Sequence, residues 1–198
     1  EVIRELNPDN ADIVWTVHVA NRKAEWYQFQ YALDIPEAVN APDNAFTLRN
    51  PRVKNRKTLA IDPGPRSIFG RSVAGGAEHR FDTGTFQAAA AQAVTVPLGE
   101  IQTDENGRLL FLGGHGKAAS PTGAPVYDPE NPPSFNNAND WYDDTSDGPV
   151  TASVAIDGIA IPVESAWVVV APPNYAPDVV SWRTMYDLMC NVYVNAGW

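Results

Sequence analysis

The amino-acid sequence predicts a mainly β fold: an antiparallel sandwich or a set of twisted sheets, with hairpins at 94–113 and 151–163 and one C-terminal helix near 178–195. Three observations carry that expectation. Along Asp12–Ala20, Ile13, Trp15, Val17 and Val19 recur at period two, the repeat of a strand. Two turn sequences, Asp104-Glu105-Asn106-Gly107 and Asp157-Gly158, each sit between β-rich runs, and Asn-Gly or Asp-Gly supplies the positive φ that a tight hairpin requires. A single late stretch carries an apolar stripe at helical spacing. Hairpin-linked strands with one late helix give antiparallel layers rather than alternating β-α units.

Taken in order, Asp12–Ala20 is the first strand, and because its second face (Val14, Thr16, His18, Ala20) is also fairly apolar it is expected to be central. Asn21–Tyr31 fits either a helix capped by Asn21 or a bent continuation of the strand. Asp34–Asn55, rich in Pro, Asn and Asp, reads as an extended loop. Leu59–Ile61 reads as a short strand closed by the turn Asp62-Pro63-Gly64-Pro65, and Gly70–Gly84 as loop. Val94–Gln102 and Arg108–Leu112 form the first hairpin. A long Gly/Pro/Asn/Asp segment follows, Gly113–Asp147, of a length that usually signals function or a contact with something else. Thr151–Ile156 and Ile159–Val163 form the second hairpin, and Ala166–Ala171 is a third, buried strand ended by Pro172-Pro173. In Asp178–Asn195 the residues Val179, Trp182, Tyr186, Met189 and Tyr193 make one stripe, Asp178 suits the helix N-terminus, and Gly197 suits the stop.

The length of 198 residues suffices for one domain with its own core, and residues 1–198 are read as a single β-rich domain. The chain enters a strand-like Val2-Ile3 at once and stops at Gly197-Trp198 directly after the helix, so it is expected to be a piece of a longer polypeptide. A net charge of −10, with the basic residues scattered apart from Arg49, Arg52, Lys54, Arg56 and Lys57, argues against nucleic acid and anionic membrane as partners. No apolar run approaches the roughly 20 residues of a membrane span, and none reads as a signal peptide. The lone Cys190 rules out an internal disulfide and leaves the compartment undetermined.

The chemistry on offer is sparse. His18, His79 and His115 are not spaced as metal pairs, and His18, inside a strand, reads as a satisfied core imidazole. Gly113-Gly114-His115-Gly116 lacks the lysine and the helix of a phosphate loop. The densest polar cluster is Asp140, Asp143, Asp144 and Asp147, with Trp141 and Tyr142 between them. Those carboxylates are candidate ligands for Ca²⁺, although their spacing departs from the EF-hand loop, and Asx turns use the same residues. They also suggest a paired-acid hydrolase or, with the two aromatics, a sugar-binding surface. Cys190 lies near the helix stripe, where a free cysteine is ordinarily structural. No catalytic or cofactor-binding residue is assigned.

Several stretches taken together resemble one family: Ile13-Val14-Trp15-Thr16-Val17-His18, Ala24-Glu25-Trp26-Tyr27-Gln28-Phe29, Leu33-Asp34-Ile35-Pro36, Ile61-Asp62-Pro63-Gly64, Phe81-Asp82-Thr83-Gly84, Val96-Pro97-Leu98-Gly99-Glu100, Asp140-Trp141-Tyr142-Asp143-Asp144 and Trp167–Tyr175. The combination resembles the N-terminal part of the cysteine tryptophylquinone-dependent amino-acid oxidases, the family of lysine 6-oxidase and a glycine oxidase. The resemblance implies a parent enzyme that oxidatively deaminates an amino acid with O₂, releasing ammonia and hydrogen peroxide. It implies a quinone built from a Cys and a Trp in the C-terminal part, with help from a flavoprotein maturation partner. On that reading this chain holds no cofactor and is inactive by itself. Cys190 and Trp198 are then not the quinone pair. The domain's expected partners are the C-terminal catalytic domain and further subunits of a homo-oligomer, and Gly113–Asp147 is the candidate contact surface.

Overall fold

The computed structural model describes residues 5–25, 49–88, 91–126, 138–172 and 185–197. Its elements are β1 (Asp12–Val17), β2 (Arg66–Phe69), β3 (Thr85–Phe86), β4 (Val94–Thr95), β5 (Gly99–Thr103), β6 (Leu109–Gly113), β7 (Ala118–Ala119), β8 (Tyr142–Asp143), β9 (Ser146–Ile156), β10 (Ile159–Ile161), β11 (Ala166–Val170) and one helix, α1 (Met185–Asn195). Among the described residues every strand pairing is antiparallel. The fold is therefore mainly β, as the sequence predicts.

The organising unit is a five-stranded sheet in which β1 lies between β2 and β9. The central place expected for the first strand is where it lies. β9 is long enough to take two partners on its other side: β10 at Val154–Ile156 and β11 at Ser146–Val150. The β9–β10 hairpin turns on Asp157 (φ 50°) and Gly158 (φ 77°), both left-handed, as a two-residue turn matched to strand twist requires. The β5–β6 hairpin closes with Asp104 Oδ1 accepting the amides of Asn106 and Arg108, both at 2.8 Å. It is tied to the main sheet by the Trp15 indole, which donates to Gly107 O at 3.0 Å.

One face of the sheet carries the core. Val17, Val19, Leu59, Ile61, Ile68, Phe81, Phe86, Val96, Leu98 and Ile101 are essentially inaccessible to water. Phe81 packs on Phe111 with ring centroids 5.7 Å apart, and Phe86 on Tyr142 at 5.4 Å. Offset aromatic pairs of this kind add about 1 kcal/mol to the burial of their area.

Several elements depart from expectation. Leu59 ends a 3-10 turn (Arg56–Leu59) instead of opening a strand, and Ile61 makes only an isolated bridge to Asn21. β2 was not expected; its four residues are walled in by Pro65 and Gly70, which read as turn formers. The run Val94–Gln102 is broken: β4 pairs with β3, and β5 starts only at Gly99, after Pro97. Gly113–Asp147 is not all loop, since it contains β7, β8 and the start of β9. Ala166–Val170 is a strand, but an edge strand with Trp167 and Val169 facing outward, not a buried one. At Asn21–Tyr31 the described part is a 3-10 turn, Lys23–Glu25; residues 26–31, the loop 34–48 and the helix start 178–184 lie outside the described residues.

Candidate functional site

The site is a cleft where the chain leaving β1 passes the start of β9 and the end of β11. Two backbones meet there at close quarters. A Cβ on Gly148 would lie 1.9 Å from the His18 carbonyl oxygen, so only glycine fits this part of β9. The cleft has a volume of about 960 Å³, with His18, Arg22, Lys23 and Asp62 on one side and Trp167 and Val169 on the other.

Its charged groups are held by hydrogen bonds and ion pairs within the domain. His18 Nε2 lies 2.7 Å from Asp62 Oδ1, which also accepts the Gly64 amide at 2.9 Å. Partial burial pulls the Asp62 carboxyl up, but the hydrogen bonds from His18 and Gly64 and the nearby positive charge of Arg22 leave it below its ordinary value. Arg22 Nε donates to Glu25 at 2.8 Å. Lys23 donates to Asp143, which also accepts from Asn21 Nδ2 at 2.7 Å and from the Thr145 hydroxyl at 2.6 Å. Burial raises the Asp143 carboxyl, and these three donors outweigh it, so the group ionises below the usual carboxylate range. The Trp167 indole donates to Asp147 Oδ2 at 3.0 Å.

Behind the cleft a polar lock fixes the backbone. Asn50 is buried with φ 53°; its side chain donates to Ala24 O at 2.9 Å and accepts from the Asp140 amide at 2.7 Å, while its own amide donates to Asn139 Oδ1 at 2.6 Å. Arg49 is buried beside it and donates to the carbonyls of Ala138 at 2.9 Å and Trp141 at 3.2 Å. Burial lowers its pKa, opposed by the charge of Asp143, from a starting value so high that it stays a cation.

The four acidic candidates are dispersed by these contacts. Asp140 accepts from Thr122 at 3.2 Å, Asp143 is held by Lys23, Asn21 and Thr145, Asp144 is buried against Gly114, and Asp147 takes the Trp167 indole. Among the described residues no three His, Cys, Asp or Glu side chains gather to hold a metal ion. A glycosidase acid needs a raised pKa, whereas Asp143 is held down. Tyr142 is buried against Phe86 and is no stacking platform for sugar, while the half-buried Trp141 donates its indole N–H to Ala124 O at 2.9 Å. The calcium, sugar and hydrolase alternatives therefore lack support.

His18 is not a core imidazole; it sits partly exposed in the cleft. His79 is buried and His115 exposed, far from any shared cluster. The His18–Asp62 and Lys23–Asp143 pairs escaped sequence reading because their partners are 44 and 120 residues apart, with no local motif to announce them.

A quinone of the kind the resemblance implies needs a cysteine sulfur bonded to an indole. Cys190 lies on α1, partly exposed. The indole N–H of each described tryptophan is hydrogen-bonded: Trp15 donates to Gly107 O, Trp141 to Ala124 O and Trp167 to Asp147 Oδ2. Trp198 lies outside the described residues.

The chain is 32% identical over 207 residues to the L-lysine 6-oxidase of Marinomonas mediterranea, an alignment covering 96% of this chain and 27% of the relative. The solved structure of the epsilon-lysine oxidase from that organism superposes with a TM-score of 0.69 at 31% identity, covering 96% of this chain and 29% of the other. The structure of its Schiff base intermediate with L-Lys gives a TM-score of 0.68 at 30% identity, with the same coverage. The chain thus spans about a quarter of the relative's length, 27%. The family described as L-Lysine epsilon oxidase N-terminal matches residues 1–170, and the chain belongs to that family.

Proposed function

We propose that this chain is the N-terminal scaffold of a quinoprotein amino-acid oxidase. The parent would deaminate L-lysine, or another amino acid such as glycine, with O₂, releasing ammonia and hydrogen peroxide. Cysteine tryptophylquinone would supply the electron sink for that chemistry, and a flavoprotein partner would assist its formation. The observation that supports this reading is the match to a lysine oxidase along 96% of the chain at 32% identity. The pairing of His18 with Asp62, Arg22 with Glu25 and Lys23 with Asp143 within the domain supports a structural role for it.

The test is an assay of the polypeptide encoded by the complete reading frame, matured beside its flavoprotein neighbour. L-Lysine is expected to yield peroxide, with visible quinone absorbance, and the 198-residue chain is expected to give neither. Peroxide from the short chain, or a full polypeptide silent towards a panel of amino acids, overturns the proposal.

A further inference from the structure

The strongest unexplained feature of the molecule is the outer face of the five-stranded sheet. Register places Val14 opposite Phe69, Thr16 opposite both Ser67 and Thr151, and Trp167 opposite Pro149. Phe69, Val14, Trp167 and Val169 therefore lie on one face, the side away from the core. Phe69 is 72% exposed, Val169 68% and Trp167 62%. An antiparallel sheet whose second face meets water normally alternates apolar-in with polar-out, and edge strands that stay free are normally charged or broken by proline. β11 does neither: it is an edge strand presenting Trp and Val outward.

We propose that this face, anchored on Trp167 and Val169, is the docking surface for the catalytic polypeptide that follows the domain in the parent oxidase. The proposal rests on the reading of the chain as part of such a parent and adds the surface by which the two parts meet. Three observations select this occupant. β11 is the last element inside the family match, which ends at residue 170. Ala171 and Pro172, the next residues, line the same cleft as Trp167 and Val169, so the chain is still on this surface where the family match has ended. A partner joined in the same chain meets the surface in an intramolecular step, which favours its contact over that of a separate molecule. In the curated relative the matched part is only 27% of the whole, so a large body of polypeptide accompanies this domain.

The cleft has the make-up of an interface and not of a small-ligand site. Its apolar wall carries a tryptophan, a residue enriched at binding hot spots. Its polar groups are already hydrogen-bonded, as His18–Asp62, Arg22–Glu25, Lys23–Asp143 and the Trp167 indole on Asp147, in the manner of an interface rim. The next described element, α1, also exposes apolar residues, Met185, Met189 and Val192 at helical spacing. That stripe too would find cover in the same larger body.

The test is hydroxyl-radical footprinting of the polypeptide encoded by the complete reading frame, across a series of protein concentrations. Trp167 is expected to react about tenfold more slowly than a freely exposed indole, as a water-excluded anchor would, at every concentration. The variant Val169→Asp in the same polypeptide is expected to restore its reactivity, while Leu112→Asp, on the exposed side of another sheet, leaves it unchanged. Labelling of Trp167 at the rate its exposure here implies overturns the proposal. So does protection that appears only as concentration rises, which would assign the face to a second copy. Peroxide formation is read on the same sample: peroxide without protection refutes the docking surface alone, and protection without peroxide refutes the oxidase reading alone.

Discussion

Asp143 is held by a lysine, an asparagine and a threonine that reach it from two separate parts of the chain, and this binds the exit of β1 to the start of β9. Its carboxyl is depressed in the fold, so the sign of its contribution follows by linkage. The stabilisation is full above the unfolded carboxyl value of about 4 and is lost as pH falls through the lower folded value. Asp143→Asn removes the charge and keeps the shape. It is expected to cost about 1–3 kcal/mol at neutral pH, the scale of hydrogen bonds to a charged group. The gap from wild type should narrow below about pH 4, where the unfolded carboxylate takes up its proton, and close in stronger acid. Urea unfolding midpoints measured against pH for both proteins check this, and a gap constant with pH refutes the charge-based account. Asp62 shares the direction of shift, but it is more exposed and correspondingly more screened.

At the scale of elements, what could be read in advance was whatever local chemistry forces. The Asp157-Gly158 turn was legible because two successive positive φ angles restrict which residues can sit there. β1 was legible because its period-two pattern runs through the core face. The beginning of β9 was not: Gly148 and Pro149 read as loop formers, and only the approach of the His18 carbonyl explains the glycine. β2 was missed for the same reason, since Pro65 and Gly70 mask a strand made by pairing with β1. The acidic cluster was legible as a cluster, but its dispersal depends on Lys23, Asn21 and Thr122, which tertiary contact alone brings near. Gly148→Ala is therefore expected to cost more than about 4 kcal/mol or to abolish soluble protein, because both clashing groups are backbone. Gly158→Ala meets no neighbour and is expected to cost only the left-handed penalty of about 1–2 kcal/mol. Chemical denaturation of the two variants side by side checks the contrast.

At the scale of the molecule, among the described residues one face of the central sheet is buried in the core while the other carries large apolar groups in the open. Hydrophobic burial is the main favourable term in folding, so the two faces must differ in what a deletion costs. Phe81 is fully buried on the packed side, against Phe111 and beneath the Arg66 guanidinium. Phe81→Ala is expected to destabilise by about 3–5 kcal/mol, combining lost transfer energy with the cavity left behind. Phe69 stands one residue beyond the buried Ile68 on the same strand, pointing the opposite way. In this chain Phe69→Ala removes little buried area, and its effect is expected to stay within about 0.5 kcal/mol. Urea unfolding of the two variants separates the cases. Equal losses would mean that the outer face is already covered within this chain. A large difference leaves Phe69, Trp167 and Val169 as apolar area that folding of the domain has not used and that association can still bury.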